Sequence, residues 1–255
     1  MGPDALHAAS VRVPTDARRG PGTVSGRAGE APLLEVEWLG RVAYADGLTL
    51  QSRLVAERRA GAIADRLLLL EHPHVITMGT SAHADHVLLD DAQRSLLGIE
   101  LHEVGRGGDV TYHGPGQLVG YPILALEEDR RDVHAYVRDL EEAIIRCLSD
   151  FGVHGERIPG STGVWVEGRK IAAIGVRVSH GWITSHGFAL NVSTDLSFFD
   201  AIVPCGIPDC GVTSVRVCAR REIALAAVAE SAAFHIAAVF GRVRSLPSAK
   251  TSRKT

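Results

Sequence analysis

Apolar and charged residues alternate over residues 33–39, the first patterned segment of the chain. Leu34, Val36 and Trp38 are separated by two glutamates. A period of two places the apolar side chains on one face of a strand and the charges on the other. The pattern predicts a half-buried strand with which the ordered part of the chain begins.

Eight further segments are predicted as strands, because they are short, apolar or alternating, and bounded by turn residues. They are residues 67–70, 75–78, 99–103, 118–126, 163–166, 170–178, 187–192 and 198–203. The first is an unbroken leucine run, typical of a buried strand. Turn pairs at Glu167-Gly168 and His180-Gly181 indicate antiparallel hairpins in the second half of the chain.

Three long helices are predicted, besides a loop and a short helix within residues 81–97. The clearest has apolar residues at spacings of three and four, which share one helix face: Val133, Tyr136, Val137, Leu140, Ile144, Cys147 and Leu148. The other two are residues 50–64, with Asp46 and Thr49 as candidate N-caps, and the alanine-rich residues 221–240. This mixed order predicts an α+β fold with a mixed, largely antiparallel sheet and flanking helices.

Most of the chain is predicted to form one domain, residues 33–242, a length that fits a single hydrophobic core. Residues 1–32 contain Gly, Ala, Arg, Pro and Thr without periodicity, which is typical of a disordered extension. Residues 243–255 are largely polar and basic and are expected to form a flexible tail.

Composition narrows the class of protein. The 255 residues have 27 Lys and Arg against 30 Asp and Glu, a net charge of −3, so we expect no nucleic acid partner. No apolar run reaches the ~18 residues of a membrane span, so we expect no membrane partner. The chain has four cysteines, too few for a disulfide framework, and its N-terminus has no apolar core of the signal-peptide kind. We therefore expect free thiols and a location in the cytoplasm.

A glycine-rich stretch covers residues 105–117, with five glycines and a proline between two apolar runs. Arg106 and His113 add a fixed positive charge and a titratable ring. The stretch lacks the Gly-Lys-Ser/Thr end of a P-loop and the dinucleotide fingerprint. Two interpretations stand: a turn between two strands, or glycines that let backbone approach backbone or a ligand.

Cys205 is the candidate nucleophile, because a Pro-Cys-Gly turn exposes the thiol in a loop after an apolar segment. A catalytic thiol needs a base or a cation beside it. Lys170, at the start of an apolar strand, would serve if it is directed inward. The alternatives are a structural loop cysteine and a strand-end lysine in solvent. Cys147 has the position of a small core residue.

Four histidines, His72, His74, His83 and His86, raise the question of a metal site. Their spacing is not that of a helical pair and no His-Glu-x-x-His occurs. Cys210 and Cys218 follow Cys205 at spacings that match no common zinc site. We expect surface or pocket-lining histidines and no metal.

Five blocks, in order, resemble the lipoyl(octanoyl) transferase family. They are Glu71-His72-Pro73 with Thr77-Met78-Gly79, Arg106 to Gln117, Lys170 to Arg177, His186 to Val192, and Pro204-Cys205-Gly206. The resemblance covers about residues 34–240. It implies the fold of the biotin/lipoate protein ligases.

The resemblance also implies an activity. An octanoyl group would move from octanoyl-acyl carrier protein to Cys205, activated by Lys170, and then to a lysine of a lipoyl domain. Acceptors would be the lipoyl domains of 2-oxoacid dehydrogenases and the glycine cleavage protein, and no cofactor is implied because the donor is already a thioester. The implied acyl site consists of Arg106, Gly107, Gly108, Asp109, Val110, Thr111, Tyr112, His113, Ala173, Ile174, Gly175, Gly187, Phe188 and Ala189.

Two other functions fit the same fold or the same ligand. One is an ATP-dependent lipoate or biotin protein ligase, which needs no cysteine. The other is a non-catalytic binder of acylated carrier protein. Cys205 together with Lys170 favours the transferase.

Overall fold

The computed structural model describes residues 31–203 and 211–245. All of them belong to one compact unit that begins at Ala31. Most of the predicted extension, residues 1–32, lies outside the described residues, and so does Cys205.

The domain is built from eleven strands and five helices within the described residues. The strands are β1 Leu33–Arg41, β2 Asp65–Glu71, β3 Val75–Met78, β4 Glu100–Glu103, β5 Val110–His113, β6 Gln117–Ile123, β7 Glu156–Ile158, β8 Ser161–Val166, β9 Arg169–Ser179, β10 Ile183–Asn191 and β11 Val243–Arg244. The helices are α1 Tyr44–Arg59, α2 Asp91–Leu96, α3 Val133–Ser149, α4 Val215–Ala219 and α5 Leu225–Val239.

An eight-stranded sheet forms the centre, with the order β11-β1-β2-β6-β10-β9-β8-β7. β1 runs parallel to β2 and β11. The neighbours from β2 through β6, β10, β9 and β8 to β7 are antiparallel. The α+β class with a mixed, largely antiparallel sheet is therefore confirmed.

Helices cover both faces of this sheet. The four-leucine run within β2 is buried on both faces for this reason. Leu67 and Leu69 pack in the cluster that contains the buried faces of α3 and α5. Leu68 and Leu70 pack on the other face, with Leu54 of α1. A strand that is buried on both faces has no solvent-facing position to mark with a polar residue.

A second, three-stranded sheet has the order β4-β3-β5. β2 and β3 are separated by three residues but lie in different sheets. Pro73 lacks the N–H that a sheet ladder needs. His72 beside it is buried and bonded to Val42 O and Tyr121 Oη, each at 2.7 Å. The chain therefore leaves the large sheet at this point.

Helix α1 differs from its prediction at both ends, since it starts at Tyr44 and ends at Arg59. The prediction of Asp46 and Thr49 as N-caps was wrong: the N-cap is Ala43, without a side-chain capping bond. Burial of Tyr44, which is 2% exposed, fixes the start of the helix. Gly61 follows its end with φ +71°, a conformation that stops a helix.

Three smaller differences follow from packing and capping. The predicted strand over residues 198–203 is largely a 3₁₀ helix, Leu196–Ala201, whose first turn is capped by Asp195. Trp38 is 47% exposed, because the small side chains of α5 leave a groove beside it. The first residues of the predicted tail form β11, which pairs with Leu33 and Leu34 of β1. Residues 246–255 lie outside the described residues.

Long, apolar helices of the kind that cross a membrane do not occur in residues 31–203 and 211–245.

Candidate active site

A cavity of about 500 Å³ opens between the glycine-rich loop, β9 and β10. The predicted site residues that line it are Arg106, Gly107, Gly108, Asp109, Val110, Thr111, His113, Lys170, Ala173, Ile174, Gly175, Gly187, Phe188 and Ala189. Residues more than eighty positions apart in the chain thus share one cavity. Cys205 lies outside the described residues.

Tyr112 is the one predicted site residue within the described chain that does not line this cavity. Its ring stacks on Phe198 at 5.4 Å and its hydroxyl bonds to Nδ1 of His74 at 2.7 Å. It is 1% exposed, within the core that supports the small sheet. The structure therefore gives Tyr112 a packing position.

The glycine-rich stretch contains both a turn and a close approach of backbone to backbone. Gly114-Pro115-Gly116 turns the chain from β5 into β6. The earlier glycines form one wall of the cavity, where Gly107 N donates to Val176 O of β9 at 2.9 Å. A Cβ on Gly175 would lie 3.0 Å from Gly107 O, so this glycine lets the loop rest on β9.

Arg106 is held at the same wall and is 7% exposed. Its Nη2 donates to Thr77 O at 2.7 Å and to Thr77 Oγ1 at 2.8 Å. A guanidinium stays charged when buried, and these bonds from β3 fix its direction. The cavity therefore has a fixed positive group beside its glycine wall.

Lys170 points inward, so the alternative of a lysine in solvent is wrong. It is 6% exposed and its Nζ lies 4.7 Å from the centre of the Trp165 ring. Its backbone N donates to Gly211 O at 2.8 Å, and its O accepts from Thr213 N at 3.0 Å. These bonds hold the second residue of β9 in place at the cavity.

The chain on both sides of residues 204–210 is bonded to residues that line the cavity. Val203 N donates to His86 O at 2.8 Å, and Gly211 O accepts from Lys170 N. Val203 and Gly211 are the described residues on either side of the segment that contains Cys205. The two described residues that flank it are therefore both bonded to residues of the cavity wall.

Buried histidines form a neutral polar wall. Loss of hydration lowers the pKa of His186 to about 4 and that of His113 to about 3. Nδ1 of His113 donates to Gln117 Oε1 at 2.8 Å, which leaves its Nε2 as an acceptor. Burial also raises the pKa of Tyr44, which lines the cavity, to about 12. At pH 7 these groups are uncharged.

Sequence patterns missed several lining residues, among them Tyr44, Tyr121 and His186; the others are Ser81, Gly160, Ser161 and Thr162. His186 had a signal, because it begins one of the blocks that carry the family resemblance. The tyrosines had none: Tyr44 lies before the helix predicted over residues 50–64, and Tyr121 lies in an ordinary strand pattern.

The four histidines considered for a metal separate in space. His83 and His86 line the cavity, whereas His72 lies buried behind it and His74 stacks on Phe198 at 4.2 Å. No cluster of three or more His, Cys, Asp or Glu suited to a metal occurs in the part of the chain that the structure describes.

Comparison with known proteins agrees with this geometry. Residues 43–237 match the family model of the lipoyl protein ligase A/B catalytic domain. An octanoyltransferase of Solibacter usitatus is 56% identical over 202 residues, which cover 79% of this chain and 90% of that protein. One of Acidobacterium capsulatum is 53% identical over 224 residues, covering 82% and 91%.

Solved structures share the fold. A lipoate-protein ligase A bound with ATP has a TM-score of 0.64 at 16% identity, and the match covers 86% of this chain and 90% of that one. A bi-partite lipoate protein ligase from Thermoplasma acidophilum has a TM-score of 0.61 at 16% identity, covering 86% and 89%. At such identities the likeness concerns the fold alone, and it confirms the lipoate ligase fold.

Proposed function

The chain belongs to the family of the lipoyl protein ligase A/B catalytic domain, and from that premise we propose how it transfers an octanoyl group. It is an acyltransferase, an octanoyltransferase of protein lipoylation, as its relatives with 56% and 53% identity are. Its acceptor is a lipoyl domain. We propose octanoyl-acyl carrier protein as the donor and a thioester on Cys205 as the intermediate.

One observation supports this route above the others. The inward-facing Lys170 and the acyl-site residues implied by the resemblance, except Tyr112, line one cavity, to which the chain flanking Cys205 is bonded. A thiol placed there would have an amine to exchange a proton with and an apolar surface for its acyl chain.

In the first step, Lys170 holds the proton of Cys205 as an ammonium and leaves a thiolate. The thiolate attacks the carbonyl carbon of the donor thioester. The bond to the carrier sulfur breaks, and that sulfur takes the proton from Lys170. Octanoyl-Cys205 and a neutral Lys170 remain.

In the second step, the neutral amine of the acceptor lysine attacks octanoyl-Cys205. The C–S bond breaks, an amide forms, and Lys170 takes the proton that the attacking nitrogen loses. The thiolate and ammonium are then restored. Conversion of a thioester into an amide is downhill, so no ATP is required.

The apolar lining suits the octanoyl chain. Ala173 and Ile174 of β9 and Phe188 and Ala189 of β10 present carbon surface to the cavity. Burying about seven methylene equivalents at ~0.8 kcal/mol each contributes at most roughly 5 to 6 kcal/mol. We propose that this surface binds the acyl chain, and that the lipoyl domains of 2-oxoacid dehydrogenases and the glycine cleavage protein are the acceptors.

Intact-mass spectrometry tests the thioester. After mixing with octanoyl-acyl carrier protein, the wild-type chain should gain one octanoyl group, and Cys205→Ala should gain none. Cys218→Ala is the matched control and should gain it as wild type does. An unmodified wild-type chain, or a lipoyl domain modified from free octanoate, ATP and Mg²⁺, would contradict the proposal and favour a binder or a ligase.

A further inference from the structure

The cavity wall carries a hydrogen-bonded histidine and aspartate in addition to Lys170. His86 Nδ1 lies 2.6 Å from Asp109 Oδ2. Both side chains line the cavity and are partly buried, 21% and 13% exposed. A carboxylate only accepts hydrogen bonds, so in neutral His86 the proton sits on Nδ1 and the lone pair on Nε2. Nε2 has no hydrogen bond to another described residue.

The backbone around His86 is tied to the segment that leads toward Cys205. Val87 and Ile202 form an antiparallel bridge. Leu88 N donates to Ala201 O at 2.9 Å, and Val203 N donates to His86 O at 2.8 Å. His86 is therefore fixed to the chain that enters residues 204–210, as Lys170 is fixed to the chain that leaves them.

Asp109 has a second feature. Its Oδ1 is buried and has no hydrogen-bond partner among the described residues. A buried carboxylate oxygen without a partner loses its hydration, and a nearby cation offsets that loss. The wall therefore presents a carboxylate oxygen that an incoming ammonium could pair with.

The transfer reaction leaves one proton without an acceptor. A lysine amine has an ordinary pKa near ~10.4, so the acceptor arrives as an ammonium at pH 7. It loses one proton to become a nucleophile and a second when the amide forms. Lys170 takes only the second, because that proton restores the ammonium beside Cys205.

The buried histidines of the cavity are poor candidates for the first proton. The pKa of His186 is lowered to about 4 and that of His113 to about 3, chiefly by loss of hydration. His83, whose ring centre lies 5.3 Å from that of His86, has no carboxylate partner among the described residues. Arg106 stays protonated.

We propose that His86, positioned by Asp109, accepts the proton that the acceptor lysine's ammonium loses before it attacks octanoyl-Cys205. The N–H bond of the ammonium breaks, a bond forms from Nε2 to that proton, and Asp109 stabilises the imidazolium. The imidazolium then releases the proton to solvent. This assignment rests on the proposed function and concerns its second step alone.

Separate measurement of the two steps tests the assignment. Octanoyl-enzyme is prepared first, and its rate of formation is recorded by intact mass for wild type, His86→Gln and Asp109→Asn. Each acyl-enzyme is then mixed with a lipoyl domain between pH 6.5 and 9.5, and octanoylation of the domain is timed. His235→Ala is the control, because His235 pairs with Asp150 at 2.9 Å on the helices outside the cavity.

His86→Gln should acylate within about twofold of wild type. In both variants the transfer step should slow by roughly 100-fold at pH 7, beyond any change in acylation, a typical effect of a lost general base. The deficit should shrink toward pH 9.5, where more of the acceptor arrives as a neutral amine. His235→Ala should match wild type throughout.

Three results would overturn the assignment: wild-type transfer in His86→Gln, a transfer deficit that is the same at every pH, or an equal loss in both steps. The last two would indicate damage to the cavity. A wild-type chain that never acquires an octanoyl group would instead remove the proposed function itself, before any variant is compared.

Discussion

At the scale of single residues, Lys170 gives the sharpest expectation. Lys170→Ala and Lys170→Met should slow acylation of Cys205 by roughly 100-fold or more at pH 7, because the thiol loses its proton partner. Met keeps the packing of the side-chain stem on Trp165, so its melting temperature should stay near that of wild type. The rate of octanoyl incorporation, followed by mass, measures the effect.

The pH dependence of the acylation rate checks the role of Lys170. Above pH ~8.5, the ordinary pKa of a free thiol, hydroxide forms the thiolate and the Lys170→Met deficit should narrow. Arg169→Ala is the neighbouring control, since that side chain is 45% exposed and pairs with Glu167. Normal acylation of Lys170→Met at pH 7 would remove Lys170 from the mechanism.

Individual residues also show where sequence reasoning stops. Lys170 and the glycine wall were found because contiguous motifs carry them. Tyr44 and Tyr121 were not, since they meet only where α1 packs against β6, and their rings pack around His72. Likewise the bond between His86 and Asp109 joins residues 23 positions apart, and no local pattern indicates it.

At the scale of an element, the loop before β5 contains two glycines with different roles: Gly107 lines the cavity, and Gly108 adopts a positive φ. A Cβ on Gly107 would meet Val176 O at 3.4 Å, an ordinary contact, whereas Gly108 has φ +88° and strains any side chain. Gly108→Val should therefore lower the melting temperature. Gly107→Val should keep it within a few degrees and weaken donor binding, seen as a raised KM for octanoyl-acyl carrier protein.

The reverse ranking would show that this loop is shaped otherwise in solution. Gly168→Val provides a comparison for Gly108→Val, because Gly168 has φ +74° in a hairpin turn and nothing lies within 4 Å of its Cβ position. Its melting temperature should fall through backbone strain, while the KM stays at the wild-type value.

Elements with a strong period were predicted well, and those shaped by single contacts were not. α3 follows its apolar stripe, and β2 follows its leucine run. The start of α1 depends on the burial of Tyr44, and the 3₁₀ turn at Leu196–Ala201 depends on the cap from Asp195. Periodicity carries no information on either contact.

At the scale of the whole molecule, three buried histidines link stability to pH. Burial lowers the pKa of His72 and His186 to about 4 and that of His113 to about 3, below the ordinary 6.5. The unfolded chain therefore binds these protons first as pH falls. The free energy of unfolding should be unaffected by them above pH 6.5 and fall below it, by up to roughly 4 kcal/mol per pH unit.

Urea unfolding between pH 8 and 4.5 measures this slope. His72→Gln should reduce it by about a third, because one of the three proton uptakes is lost. His134→Gln, at an exposed position of α3, should leave it unchanged. Equal slopes in wild type and His72→Gln would show that His72 is not held neutral.

The class of fold was predictable at this scale, but the order of strands was not. Mixed elements with hairpins indicate a largely antiparallel sheet. The placement of β3 in the small sheet, three residues after β2, depends on Pro73 and on the buried His72. The parallel neighbours β1 and β11 are separated by two hundred residues of chain, so no local pattern joins them.

The pairing of β11 with β1 places the two ends of the described domain next to each other. Val243 N donates to Pro32 O at 2.9 Å and Ser245 N donates to Leu34 O at 2.9 Å. A circular permutant that joins Ser245 to Ala31 through a short linker, and opens at the exposed Gly61, would keep every strand neighbour. The new joint would lie four to five strands from β9, which carries Lys170, an offset across the sheet of about 19 to 24 Å at ~4.8 Å per strand. The catalytic domain therefore suits insertion as a guest into a surface loop of a host protein.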